Sequence, residues 1–145
     1  MTTQEKFYLI KRNTEEILTE EELEELLETK DEPVVYLGNE TTGRPHIGYM
    51  IPAVKIKDFV DAGLRVKILL ADMHAYLNNM KTPFELLENR VKFYEAELRE
   101  LYRSIGADVD KIEFVKGSDV ELERNYTLDV YKLAAMTTID RAKHA

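Results

Sequence analysis

The stretch GNETTGRPHIGYM, from Gly38 to Met50, follows the apolar run Val34-Val35-Tyr36-Leu37 and gathers residue types suited to holding an anion. A helix N-terminus leaves backbone N–H groups unpaired and carries the positive end of the helix dipole, so negative charge is stabilised there without a dedicated lysine. Gly43 has access to backbone angles closed to other residues, Pro45 sets the entry into a helix, and His46 can donate a hydrogen bond to a phosphate oxygen. Gly48, lacking a side chain, leaves room for a flat base or ribose against the first helical turn. This is the outline of a nucleotide-phosphate site. It is neither of the better-known phosphate loops, having no Gly-Lys-Ser/Thr ending and no G-x-G-x-x-G turn. A histidine at a helix start also serves as a cap or an ordinary surface residue, and that reading stands beside the first.

The elements that must position this stretch are legible in the periodicity. Three apolar runs suit buried strands: VVYLG from 34, RVKILLA from 65 and KIEFVKG from 111. Between the first two, Ile47, Met50, Ile51, Val54, Phe59 and Val60 fall on one helical stripe from about His46 to Ala62, closed by Gly63. Between the second and third, Leu86, Leu87, Val91, Tyr94, Leu98, Leu101 and Ile105 do the same from about Phe84, closed by Gly106. A third helix is expected from Thr127 through Val130, Leu133, Ala134 and Met136. Ahead of the first strand, Phe7, Ile10, Ile17 and Leu18 and then Leu23, Leu26 and Leu27 suggest a helical appendage over residues 1–32, with Thr19 and Glu22 spaced as a capping box and Pro33 as the stop. Strands alternating with helices imply an α/β fold: a Rossmann-like parallel sheet, the first mononucleotide-binding half of a doubly wound domain, with a helical N-terminal appendage. Ligands bind such sheets beyond the carboxyl ends of the strands. Three segments should converge there: GNETTGRPH, ADMHAYLNN and GSDVELERNY.

Composition narrows the function classes. The 145 residues are 44% hydrophobic and 33% charged, enough for one domain with a sizeable core. No apolar run approaches the length of a membrane span, and the N-terminus lacks the sections of a secretory signal, so no membrane role and a cytoplasmic location are expected. Without cysteine, and with His46, His74 and His144 scattered, no protein-bound metal is expected. The net charge of -8 argues against a wholly basic nucleic-acid surface, and much of the acidity sits in TEEELEELLETKDE, which reads as a solvated helix face.

At RPHIGY the chain resembles the HIGH signature of class I aminoacyl-tRNA synthetases. The segments YLGNETTGRPHIGY, ILLADMHAYLNNM and GSDVELERNYTLDVYKLA, in that order, are similar to the tyrosyl-tRNA synthetases of archaea and eukaryotes. The resemblance runs from about Phe7 to the end of the chain. It implies tyrosine-tRNA ligase chemistry on a HUP-type fold: ATP with Mg2+ as the substrate complex, L-tyrosine, tRNA-Tyr for the complete enzyme, and a homodimer when complete. By the same resemblance His46, Gly48 and Tyr49 would be catalytic, with Tyr49 standing where the family's second histidine falls. Gly38, Glu40, Thr41, Thr42, Gly43, His46 and Gly48 would handle ATP. Tyr36, Leu69, Ala71, His74 and Glu121 would line the tyrosine pocket, Tyr36 contacting the bound amino acid and His74 as a buried, hydrogen-bonded wall residue. Glu121 stands where the family leads one to expect glutamine.

On this reading residues 33–145 are the first half of the catalytic domain, and a second half, the Tyr-x-x-x-Gln-x-x-Asp segment, the KMSKS loop and an anticodon-binding domain are expected to be missing. A chain so composed should be a weak, unselective enzyme alone, because discrimination of tyrosine from phenylalanine rests on paired hydrogen bonds. Two other readings stay open: a non-catalytic nucleotide-binding or protein-interaction module, and a small autonomous nucleotidylyltransferase.

Overall fold

The computed structural model describes residues 1–78 and 82–143; Asn79 of the second converging segment and His144 lie outside them. Helices α1 (Thr3–Lys11) and α2 (Glu20–Thr29) precede strand β1 (Val34–Glu40). A 3-10 turn, Ile47–Tyr49, runs into α3 (Met50–Asp61), followed by β2 (Arg65–Ala71) and the short α4 (Asp72–Leu77). A second 3-10 turn at Phe84–Leu86 opens α5 (Leu87–Ser104), which leads to β3 (Ile112–Lys116), α6 (Gly117–Glu121), α7 (Arg124–Met136) and α8 (Ile139–Lys143). The strands form one parallel sheet in the order β1-β2-β3, with Val34 opposite Arg65 and Val66 opposite Ile112.

Both long crossover helices lie on one face of this sheet. Ala53, Ile56 and Val60 of α3 and Val91, Tyr94, Leu98 and Tyr102 of α5 pack on Val66, Ile68 and Leu70 of β2 and Ile112 of β3 in a single cluster. Gly63 and Gly106 end the two helices with left-handed backbone, φ +85° and +76°, where any other residue would be strained.

The opposite face carries the alternate residues, in lateral rows set by the register: Tyr36, Lys67 and Glu113, then Gly38, Leu69 and Val115. No element of the described residues covers it, and Tyr36 is 77% exposed. The expectation of strands buried on both faces is therefore corrected for β1. A sheet whose successive strands step one way, joined by crossovers of one hand, puts every connecting helix on the same side.

The N-terminal helices pack against the end of α3 through Ile10, Leu27, Ala62 and Leu64. A charged latch reinforces the contact. The Asp58 carboxylate, 1% exposed, accepts from Arg12 and lies 3.1 Å from the Lys55 ammonium. Lys55 also donates to the Leu9 and Ile10 carbonyls at 3.2 and 3.1 Å and to that of Arg12, so a lysine of α3 satisfies the orphan carbonyls at the end of α1. Burial works to raise the Asp58 acid, but the bonds from Arg12 and Lys55 outweigh it and hold the carboxyl below the usual range.

Two local expectations are corrected. Thr19 makes no capping bond, because its backbone (φ -139°, ψ 74°) is not the extended conformation that swings a hydroxyl over the first turn. Thr2 is extended (φ -73°, ψ 162°) and forms the capping box instead, with Glu5. The last long helix begins at Arg124 rather than Thr127, and α6 occupies the start of the converging segment GSDVELERNY. Asp72 makes that turn possible by accepting the Ser118 N–H at its start.

Candidate active site

His46 is extended (φ -133°, ψ 175°) and caps the 3-10 turn: its Nδ1 accepts the Gly48 N–H at 3.1 Å. With Nδ1 engaged as an acceptor, the neutral ring carries its proton on Nε2. His46 is thus both the cap of the bland reading and an exposed ring with a donor to spare. Gly48 plays a different part from the one expected. A Cβ there would stand 2.8 Å from His46 Cε1 and 3.0 Å from Nδ1, so the space it leaves is filled by the histidine ring, and its N–H is already taken. Gly43 is corrected too, because its φ is not left-handed and a Cβ would meet nothing within 4 Å. What singles it out is a clamp from α5: Tyr94 Oη accepts the Gly43 N–H at 2.9 Å and Arg90 Nη1 donates to its carbonyl at 3.1 Å.

Tyr49 sits edge-on to His46, ring centroids 5.3 Å apart, and edge-on to Tyr94 at 6.4 Å. Burial, then the neighbouring Tyr94 and Glu40, push the Tyr49 phenol up to about 12, so it stays neutral at any physiological pH. Thr41 is fully buried, its carbonyl accepting the Thr82 hydroxyl at 3.1 Å while its own Oγ1 has no partner among the described residues. Thr41 is thus closed off from solvent and presents no group to a ligand in this structure. Thr42 is half-buried next to it.

Side-chain bonds tie the three converging segments together. Asn78 Nδ2 donates to both Glu40 oxygens at 3.2 and 3.0 Å, joining β1 to α4 and engaging the Glu40 carboxylate. The buried Asp72 accepts from Ser118 N at 2.8 Å and Ser118 Oγ at 2.6 Å, joining α4 to α6. It is a cap, though of a helix distant in sequence. Gly117 lies between carboxylates: a Cβ would come within 3.0 Å of Asp72 Oδ1, 3.1 Å of Glu121 Oε1 and 3.3 Å of the Leu70 carbonyl.

Of the residues expected in the tyrosine pocket, Tyr36 and Leu69 lie on the open face together with Gly38, which was expected to handle ATP; Gly38 lies beside Leu69, with 3.9 Å from its Cβ position to Leu69 Cδ2. Ala71 is buried opposite Glu40, and Glu121 is half-buried beside Gly117. His74 is exposed, not the buried wall residue expected, because no described residue covers that side of α4. Sequence reasoning missed Tyr94, Arg90, Thr82, Asn78, Ser118 and Gly117 as site-building residues. Only Tyr94 left a signal, as an aromatic with a polar tip inside an otherwise apolar stripe.

The profile of the family described as tRNA synthetases class I (W and Y) matches residues 28–145. The chain belongs to that family. It is 53% identical over 145 residues to the cytoplasmic tyrosine–tRNA ligase of Danio rerio, covering 100% of this chain and 27% of the relative. To the tyrosine–tRNA ligase of Natronomonas pharaonis it is 46% identical, covering 100% of this chain and 42% of the relative. The tyrosyl-tRNA synthetase of Archaeoglobus fulgidus, solved in complex with L-tyrosine, superposes with a TM-score of 0.83 at 40% identity over 99% of this chain and 43% of that one. The chain thus spans less than half the length of these class I synthetases.

Proposed function

We propose that this chain serves tyrosine activation: ATP-dependent formation of tyrosyl-adenylate and its transfer to tRNA-Tyr, in the cytoplasm, with residues 1–32 as an appendage to the first half of the catalytic domain. The observation that carries the reading is His46, held by Gly48 so that an Nε2–H donor faces solvent beyond the end of β1. In the reaction the tyrosine carboxylate attacks the α-phosphate of ATP, the bond from that phosphorus to the bridging oxygen breaks, and pyrophosphate leaves with the electron pair. Charge grows on phosphate oxygens, and a pre-aimed donor is stabilising there without reorganisation. No base is required, since the attacking carboxylate is already ionised. Mg2+ enters with ATP as part of the substrate.

The amino acid would lie on the open sheet face, over Gly38 and Leu69, with Tyr36 beside it and Ala71 leaving room at the strand end. Gly38 adds no side chain to that surface, so a planar ring can approach the strand closely. Tyrosine itself, tRNA-Tyr and a second copy of the chain are the partners proposed by likeness to the relatives. Tyrosine-dependent exchange of labelled pyrophosphate into ATP, with phenylalanine as control, tests the reading in the full-length protein that carries this chain. Exchange with tyrosine that falls at least 100-fold in His46→Ala is expected. Retained ATP binding with no exchange would favour a non-catalytic module.

A further inference from the structure

Among the described residues, the loop from Thr41 to His46 is held from outside at two places, and one of them is unusual. Thr82 takes the Thr41 carbonyl, but α5 grips both sides of one residue: Tyr94 accepts the Gly43 N–H and Arg90 donates to the Gly43 carbonyl. Arg90 and Tyr94 are one helical turn apart, so they present their polar ends on the same stripe. Tyr94 is 1% exposed and its ring is part of the core, so its Oη is a fixed point and not a mobile surface contact. The same ring meets Tyr49 edge-on at an interplanar angle of 71°, and Tyr49 meets His46 edge-on at 76°. Helix α5 therefore reaches His46 by two routes: along the backbone from Gly43, and through the rings from Tyr94 to Tyr49.

We propose that Tyr94 and Arg90 are positioning residues that fix the loop and aim His46 at the nucleotide. The inference rests on the adenylation reading for its kinetic consequence, though the clamp itself does not. Neither residue touches the reacting atoms; each acts through Gly43, and Tyr94 also through Tyr49. Because Gly43 is exposed, its freed N–H can turn to water, so losing the clamp releases the loop without stranding a buried donor.

The test uses Tyr94→Phe and Arg90→Met in the full-length protein, with Tyr102→Phe as the same chemical change about two turns further along the same helix, at a residue that makes no bond to Gly43. In Tyr94→Phe the ring stays and the hydroxyl goes, and with it both the acceptor of the Gly43 N–H and the hydrogen-bonding partner of the Tyr49 phenol. Expected are a kcat for tyrosine-dependent pyrophosphate exchange about 10-fold lower, a KM for tyrosine within twofold of the parent, and unchanged circular dichroism. Tyr102→Phe should leave kcat within twofold. Adding Tyr94→Phe to His46→Ala should cost nothing more, since the clamp acts through that ring. Hydrogen–deuterium exchange of the peptide spanning residues 41–49 gives a readout independent of activity, and should be about 10-fold faster in both clamp variants. Faster loop exchange in a protein that activates no amino acid would sustain the clamp and overturn the adenylation reading. Parent-like loop exchange in Tyr94→Phe and Arg90→Met, or a kcat loss as large without His46 as with it, would overturn the clamp. If Tyr94→Phe unfolds, Arg90→Met at the partly exposed end of the clamp carries the same two readouts.

Discussion

Replacing Gly48 by alanine separates the shape of the His46 site from its stability. The added methyl would stand 2.8 Å from His46 Cε1 and 3.0 Å from Nδ1, against an ordinary separation of about 3.5 Å or more, so the ring must retreat by roughly 0.5 to 1 Å. The atom in the way belongs to an exposed side chain, so the retreat is cheap for the fold. It is expensive for the aim, because the 3.1 Å bond from Gly48 N–H to Nδ1 is stretched beyond use and with it goes the constraint that keeps the proton on Nε2. A donor displaced by about 1 Å costs on the order of 100-fold in rate. Stability barely moves: the loss of one exposed hydrogen bond, about 0.5–1 kcal/mol, is offset by about 0.4–1 kcal/mol from the less flexible unfolded chain, as φ at 48 is open to alanine. Pyrophosphate exchange should fall about 100-fold with the melting temperature within about 2 °C of the parent. Since Gly48 acts through His46, the double variant Gly48→Ala/His46→Ala should be no slower than His46→Ala alone. Parent-like exchange in Gly48→Ala, or a further tenfold loss in the double variant, would refute the reasoning.

Three further outcomes are expected. Thr41→Val replaces a buried hydroxyl that has no partner among the described residues by a methyl of similar size, and should raise stability by about 1 kcal/mol, or about 3 °C in Tm; a drop would mean the hydroxyl has a partner. Gly117→Ala forces a methyl against Asp72, Glu121 and the Leu70 carbonyl, and should cost about 1–3 kcal/mol in a denaturant melt, whereas a neutral result would show that α6 can shift away from the strand. Asp58→Asn should cost about 1–3 kcal/mol at pH 7, less than a fully buried pair because Arg12 is 41% exposed. The Asp58 acid is depressed in the folded state, so its contribution is fully present above the unfolded value of about 3.9 and is lost as the pH falls through the folded value. Urea melts of parent and variant should therefore differ at pH 7 and converge on acidification below about pH 4; a gap that persists at the lowest pH would show that Asp58 acts by packing.

Much of the architecture was legible because it depends on neighbours in sequence. The three apolar runs became β1, β2 and β3, and Gly63 and Gly106 stop their helices with the positive φ that only glycine takes freely. The candidate site was legible as far as His46, whose place at a helix start follows from Pro45 and the stripe after it. What escaped depends on residues far apart in the chain. Periodicity assigns Tyr94 to the core face but cannot say that its hydroxyl reaches Gly43, and nothing local tells that Asp72 caps a helix that begins at Gly117. Burial of His74 and Tyr36 was misjudged for a related reason: a strand or helix pattern records which side a residue faces, not whether another layer lies there.

The middle strand has a consequence for how the chain folds. β2 belongs to both βαβ units, pairing with β1 across the α3 connection and with β3 across the longer α5 connection. Closing the longer loop costs only about 0.3 kcal/mol more in chain entropy, too little to impose an order of assembly. Either unit can therefore form first, but no route to the sheet avoids β2. Truncations at Ile68 should slow refolding whichever route is taken, while truncations in β1 or β3 should act mainly on unfolding in molecules that assembled the other unit first. The strand that carries Leu69 and Ala71 is thus also expected to be the kinetic hub of the domain.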